Sequence, residues 1–338
     1  MRLRSTVLAF SFFTASVVSF SHLPEVTEVW APLPPLAQGN TIDAASGYAV
    51  EAFGQGAYMI TEGAYQALIV VSNEGVILVD APPSLGLLID HAIKNITSLP
   101  LTYIVYSHHH SDHIGAASLF AKPHMKIIAH EMTKRNLEAV PHPTRPLPTV
   151  TFSDDYRLHV GNQTLLLSYK GPNHEPGNIF IYAPRQKVLM VVDMIVPGWV
   201  PYAELSLSTD VPGYIAAHDQ ILAYDFVHYV GGHPGRSGNR SDVERQKEYV
   251  HDLFANCQEA LSLTRTNHTV LGAQALLGQT LQLNPGNVYA VAKLGMDISA
   301  EYCANMTNRK WLGVLGGADT FGFENAYAMI KSLSVDYA

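Results

Sequence analysis

Leu101-Thr102-Tyr103-Ile104-Val105-Tyr106-Ser107 runs directly into His108-His109-His110-Ser111-Asp112-His113. The first seven residues read as a buried strand, being short, apolar and rich in β-branched and aromatic side chains. Alternate residues of extended chain share a face, so His108 and His110 point one way and His109 the other. Asp112 and His113 fall where the chain turns into a helix predicted over 114–120, and there they face a second position. Imidazole and carboxylate donors without a thiolate suit zinc, iron or manganese. A single histidine after a strand is ordinarily a cap or a satisfied polar group. Four donors within six residues are not, and one such loop can feed two ions.

The composition agrees. The 338 residues hold 16 His against 21 Lys+Arg, and only 15% of the chain is charged, against about 25% in an average soluble domain. With 47% apolar residues the chain can bury a large core. The net charge of −8 and the absence of any Lys/Arg cluster exclude a nucleic-acid partner, whose phosphates demand one.

Three further donors end predicted strands. His174 sits in Gly171-Pro172-Asn173-His174-Glu175-Pro176-Gly177, Asp193 ends the apolar run from Val188, and His233 follows Gly231-Gly232 after the run from Phe226. Asp80 ends the Ile77–Asp80 run in the same way. Any of these alone would be read as a local cap; next to the histidine-rich loop they are candidates to complete its site.

Outside this core, residues 1–21 read as a secretory signal peptide. Arg2 and Arg4 precede the apolar stretch Val7–Phe20, and Ser19-Phe20-Ser21 offers small residues for cleavage. The stretch is short of the roughly 20 residues that span a bilayer. Residues 22–47 form a Pro-rich arm, 48–240 the domain that carries the histidine-rich loop, and 241–338 a helical extension that opens with Ser241 and Glu244 as a capping box. That extension covers the core, forms a lid or makes a dimer surface; the pattern does not choose. Asn95, Asn162, Asn239, Asn267 and Asn305 each begin an Asn-x-Ser/Thr sequon, which predicts a secreted glycoprotein. Cys257 and Cys303 are compatible with one disulfide or two separate buried thiols.

Taken together, His-x-His-x-Asp-His, the Gly-Pro-x-His-x-Pro-Gly loop, the strand-ending Asp193 and Gly-Gly-His resemble the metallo-β-lactamase fold superfamily. The resemblance implies an α/β fold, an αββα sandwich with two pseudo-symmetric halves, here with a C-terminal helical extension. It implies two divalent metal ions, taken as zinc: His108, His110 and His174 for one, Asp112, His113 and His233 for the other, and Asp193 shared. Asp80 would orient the histidine-rich loop. Two such ions make a water acidic enough to yield hydroxide near neutral pH, with Asp112 orienting it and taking up its proton as the catalytic base. Trp199 and Tyr202, just past Asp193, would wall a substrate pocket. Asp at 193, where β-lactamases of the Cys-ligand type carry Cys, resembles the glyoxalase II-like and lactonase-like branches instead.

The function so implied is a secreted hydrolase opening a small, uncharged ester, lactone, thioester or lactam. It would act without nucleic acid, and without a membrane once the leader is removed; a homodimer is left open. The rival readings are a mononuclear iron enzyme resembling the sulfur dioxygenases, and a metal-binding protein without catalysis.

Overall fold

Strand-forming runs of period two build both sheets. The computed structural model describes residues 28–266 and 273–337, so the leader 1–21 and the sequon at Asn267 lie outside the described residues. Ala31–Ala338 folds as one compact unit. The first sheet has seven strands in chain order: β1 (Ala49–Gly54), β2 (Ala57–Thr61), β3 (Gln66–Val71), β4 (Val76–Val79), β5 (Leu101–Val105), β6 (Lys126–His130) and β7 (Val150–Phe152). Strands β1 to β4 form an antiparallel meander, and β5 to β7 add in parallel through α1 (Leu88–Ile96), α2 (Ser111–Ile114) and α3 (Glu131–Ala139). The second sheet runs β12-β11-β10-β9-β8, with β8 (Asp155–Val160), β9 (Gln163–Ser168), β10 (Phe180–Ala183) and β11 (Val188–Met190) antiparallel and β12 (His228–Val230) parallel to β11.

Alternation sorts the side chains into three layers. Leu68, Val70, Ile77 and Val79 of the first sheet meet Leu165, Leu167, Ile181, Val188 and Met190 of the second, forming the core between the sheets. Their neighbours Ala67, Ile69, Val76 and Leu78 face outward and are covered by Ile89, Ala92 and Ile93 of α1 and Leu137 of α3. The outer face of the second sheet, with Phe180, Leu189 and Tyr229, is covered by α5 (Val211–Leu222), α6 (Arg240–Thr266), α8 (Val288–Trp311) and α9 (Ala318–Val335). This is the αββα sandwich. The helical extension thus supplies, together with α5, the outer helical layer of the second sheet. Its remaining helix, α7 (Ala273–Leu283), packs on α8.

Several element ends differ from expectation, each for a local reason. The capping box sits two residues before Ser241: Asn239 Oδ1 accepts Ser241 N–H at 2.9 Å, while Asp242 Oδ2 accepts Asn239 N–H at 3.0 Å. Ser241 therefore lies inside α6. The helix after the histidine-rich strand begins at Ser111, not 114, because His110 takes the extended N-cap conformation (φ −62°, ψ 142°). Cys257 of α6 and Cys303 of α8 are joined in a disulfide, which settles the alternative left open by the sequence and is worth about 2–4 kcal/mol to the fold.

His218, on α5, is a buried histidine with a measurable cost. Its Nδ1–H donates to the Tyr214 carbonyl at 3.0 Å, and burial pushes its pKa down to about 4. Above pH 6.5 the ring is neutral folded or unfolded. As pH falls from about 6.5 toward 4, the unfolded chain takes the proton first and stability is lost, by up to about 3 kcal/mol. Urea unfolding at pH 7 and pH 5 should show that loss, and His218→Gln should make it smaller.

Candidate metal centre

The four loops that carry the donors leave the same edge of the sandwich. His108 and His110 follow β5, with His110 at the N-cap of α2, which holds Asp112 and His113; His174 follows β9, Asp193 follows β11 and His233 follows β12. Asp193 joins them. Its Oδ2 stands 3.4 Å from His108 Nε2, 3.3 Å from His113 Nε2 and 3.2 Å from His174 Nε2, and its Oδ1 stands 3.2 Å from His233 Nε2. Around that carboxylate the donors fall into two groups. In one, His110 Nδ1 lies 3.1 Å from His174 Nε2, with His108 beside them. In the other, His233 Nε2 lies 3.0 Å from His113 Nε2, and Asp112 Oδ2 lies 3.4 Å from His113 Nε2 and 3.7 Å from His233 Nε2.

The chemistry of this donor set fits metal ions. His108 Nε2 is buried, has no hydrogen-bond partner and points into the cluster. Burial first, then the neighbouring histidines, holds the pKa of His108 well below its ordinary value and brings that of His110 down to about 4, so both rings are neutral and ready to ligate. Burial opposes ionisation of Asp193, but His113 and His174 outweigh it and keep the carboxylate charged. His113 shows the converse: burial opposes its protonation, but Asp193, Asp112 and Asp80 raise its pKa to about 9. Acids surrounding a buried ring make a place for positive charge, which a divalent cation supplies in place of the proton.

The supporting frame is largely backbone. Asp80 and Asp193 both adopt left-handed conformations (φ 62° and 63°), uncommon for non-glycine residues. Asp80 Oδ1 accepts Ser107 N–H at 2.8 Å, while Ser107 Oγ lies 2.9 Å from His108 Nδ1, so Asp80 acts on the residue before the first ligand. Burial raises Asp80 to about 6. Asn173 Oδ1 accepts His174 N–H at 2.6 Å and Asn178 Nδ2–H at 3.0 Å, and Asn178 also donates to the Val192 carbonyl, tying the loops of His174 and Asp193 together.

Three site-facing residues and one remote support escaped the sequence reading. Gln66, buried at the head of β3, accepts Gly232 N–H and donates to the Pro234 and Arg236 carbonyls, which clamps the His233 loop. Its only signal is a lone amide opening an apolar run. The Tyr65 ring lies 4.5 Å from that of His233, and burial followed by the charges of Asp112 and Asp193 raises its phenol pKa. Glu175 is paired with His109 at 2.6 Å; it was visible only as an acid inside the His174 loop. Asn325 lies far down the chain, on α9.

Trp199 and Tyr202 part company. Trp199 donates its indole N–H to the Ala37 carbonyl at 3.0 Å and lies against Gly316, so its ring is held in packing. Tyr202 is 55% exposed, with its ring 4.7 Å from Phe321 of α9. It leads into α4 (Ala203–Leu207), a left-handed turn in which Glu204, Leu205, Ser206 and Leu207 have φ between 53° and 60°. Left-handed helix costs roughly 1–2 kcal/mol per residue, so something must hold it. Asn325 does: its Oδ1 accepts Leu205 N–H at 2.7 Å and its Nδ2 donates to the Pro201 carbonyl at 2.9 Å. Thr209, beyond the turn, donates its N–H to the His174 carbonyl at 2.8 Å.

Fold and donor set together define a metal-binding protein of the metallo-β-lactamase type. Residues 60–254 match the family model of the metallo-beta-lactamase superfamily, and the chain belongs to that family, whose members are generally enzymes. The chain is 26% identical over 178 residues to the 2,4-dinitroanisole O-demethylase subunit alpha of Nocardioides sp. (strain JS1661), covering 48% of this chain and 54% of that protein, so it spans about half of that relative's length. Among solved structures it resembles the metallo-beta-lactamase of Pontibacter korlensis (20% identity, TM-score 0.51, 60% of this chain and 97% of the other). It also resembles the metallo-beta-lactamase IND-7 (18% identity, TM-score 0.52, 60% and 96%).

Replacing Asn325 by Leu should leave the amide of Leu205 and the carbonyl of Pro201 buried without partners and lower stability by about 2–4 kcal/mol. Urea unfolding reads this directly; a loss below 0.5 kcal/mol would mean that the left-handed turn holds itself.

Proposed function

We propose that the chain is a secreted, metal-dependent hydrolase with two divalent ions, taken as zinc. His108, His110 and His174 would hold one, Asp112, His113 and His233 the other, and Asp193 both. The observation that carries this reading is the single Asp193 carboxylate within 3.4 Å of four imidazoles drawn from both donor groups. When bound, the ions supply Lewis acidity and a water acidic enough to serve as a nucleophile near neutral pH.

The chain's own groups do the rest. The site opens on the side of Asp112 and His233, whose side chains are 42% and 27% exposed, while His108 and His113 are sealed. Asp112 therefore stands where substrate and water arrive, placed to orient the attacking water, accept its proton and return it to the leaving group. Tyr65 flanks the same opening and brings a protonated hydroxyl that can bond to a substrate oxygen, with Tyr202 as an exposed aromatic surface nearby. The substrate class is a small uncharged ester, lactone, thioester or lactam. The name of the Nocardioides relative describes an enzyme acting on an aryl methyl ether, which favours adding that class as a second reading.

The test is a hydrolysis screen of the metal-loaded protein over lactones, thioesters, aryl esters, lactams and methyl aryl ethers, alongside metal analysis. Two zinc-like ions per chain with turnover of one class supports the proposal; one iron with oxygen consumption, or no turnover of any class, overturns it. Asp112→Ala should reduce turnover by roughly 10²–10⁴-fold with little change in the melting temperature of the metal-free protein. Unchanged turnover would remove Asp112 from its role.

Secretion and glycosylation belong to the same proposal. The leader-like start, the Cys257–Cys303 disulfide and the exposure of Asn95, Asn162, Asn239 and Asn305 support it. Protein expressed in eukaryotic cells should appear in the medium and lose apparent mass on treatment with an N-glycan-removing enzyme; retention inside the cell without glycans would overturn it. We further propose a small-molecule substrate as the partner, with neither nucleic acid nor membrane engaged. Among the described residues no helix is long and apolar enough to cross a membrane.

A further inference from the structure

We propose that Glu175 is a positioning residue for His110, holding that ring from the side opposite the metal centre through a hydrogen-bond network with His109 and Asn136. The proposal rests on the metal-centre reading above.

Three observations carry it. First, Glu175 is a carboxylate at 2% exposure that is not among the donors around Asp193. Burying a charge is costly unless it is paired, and this one is paired on several sides. Its Oε2 stands 2.6 Å from His109 Nδ1 and accepts Asn136 Nδ2–H at 3.3 Å, and its Oε1 accepts His109 N–H at 3.4 Å. Second, the donor atoms of His109, His110 and Glu175 all lie within 4.8 Å of one another. His110 already turns Nδ1 toward His174, so its opposite edge carries Nε2. Third, the acid is anchored from outside the site. Asn136 belongs to α3, and Arg145 donates to the His109 carbonyl at 3.0 Å.

A metal-ligating imidazole whose free nitrogen faces a carboxylate is fixed in tautomer and orientation and becomes a stronger donor. Here the acid directly follows His174 in the chain, so one loop brings both a ligand and the support for another. His109, pointing away from the centre, acquires a role as the hydrogen-bond partner that keeps Glu175 in place.

Metal-free protein titrated with Zn²⁺ against a competing chelator, and with Co²⁺ followed by its visible spectrum, tests this without reference to activity. Glu175→Ala should weaken uptake of the first equivalent by about 10–100-fold and shift the Co²⁺ bands. Glu175→Gln keeps an acceptor oxygen and should recover most of the affinity. Asn136→Ala, which leaves the acid but loosens it, should fall between wild type and Glu175→Ala, and it carries the test if Glu175→Ala does not fold. Equal affinity and spectra in wild type and both alanine variants overturn the proposal, as does a Gln variant as weak as the Ala variant. A third equivalent bound by wild type and lost in Glu175→Ala also overturns it, by making His109, His110 and Glu175 a cation site of their own. Failure of wild type to bind either metal overturns the metal-centre reading itself.

Discussion

One buried carboxylate in an unfavourable backbone conformation organises the active edge of this protein. Asp193 is in contact with His108, His113, His174 and His233, which come from the segments after β5, β9 and β12. A buried acid surrounded by imidazoles is stable only if charge balances, and the histidines divide accordingly: His108 and His110 lean neutral, and His113 is drawn toward the protonated form. The sandwich supplies the rigid strand ends that force these groups together; the charge balance then makes a divalent cation the natural occupant.

The two halves of the fold reach this point by the same device. Asp80 follows β4 and Asp193 follows β11; each has φ near +60°, and each sends its N–H to the neighbouring parallel segment, Val105 in one case and Gly231 in the other. A left-handed residue at the end of a strand turns the chain sharply and aims a short acid along the sheet edge. In one half the acid reads into the centre as a donor. In the other it holds the Ser107 amide and, through it, the start of the histidine-rich loop.

The donors were legible because their chemistry is written in residue type and strand endings: His-x-His-x-Asp-His, then His174, Asp193 and His233 each after an apolar run. The layers were legible for a related reason, since Leu68/Val70 and Ala67/Ile69 alternate between two cores as period two requires. What escaped depends on long-range closure. Gln66 matters only once β3 lies beside the His233 loop, and Asn325 only once α9 packs under Pro201. The turn at Glu204–Leu207 contains no glycine, so nothing local announces a left-handed path. Asn239 competed with Ser241 for the helix cap, and both residue types are good caps.

The Cys257–Cys303 bridge has a topological consequence. Residues 258–302, which include α7 and the α7–α8 turn, form a covalently closed loop. A protease cutting anywhere within that loop leaves two fragments that cannot diffuse apart. The C-terminal fragment would carry Asn325 and Phe321, and with them the grip on the Tyr202 segment. The bond makes a nick in the helical layer a survivable injury.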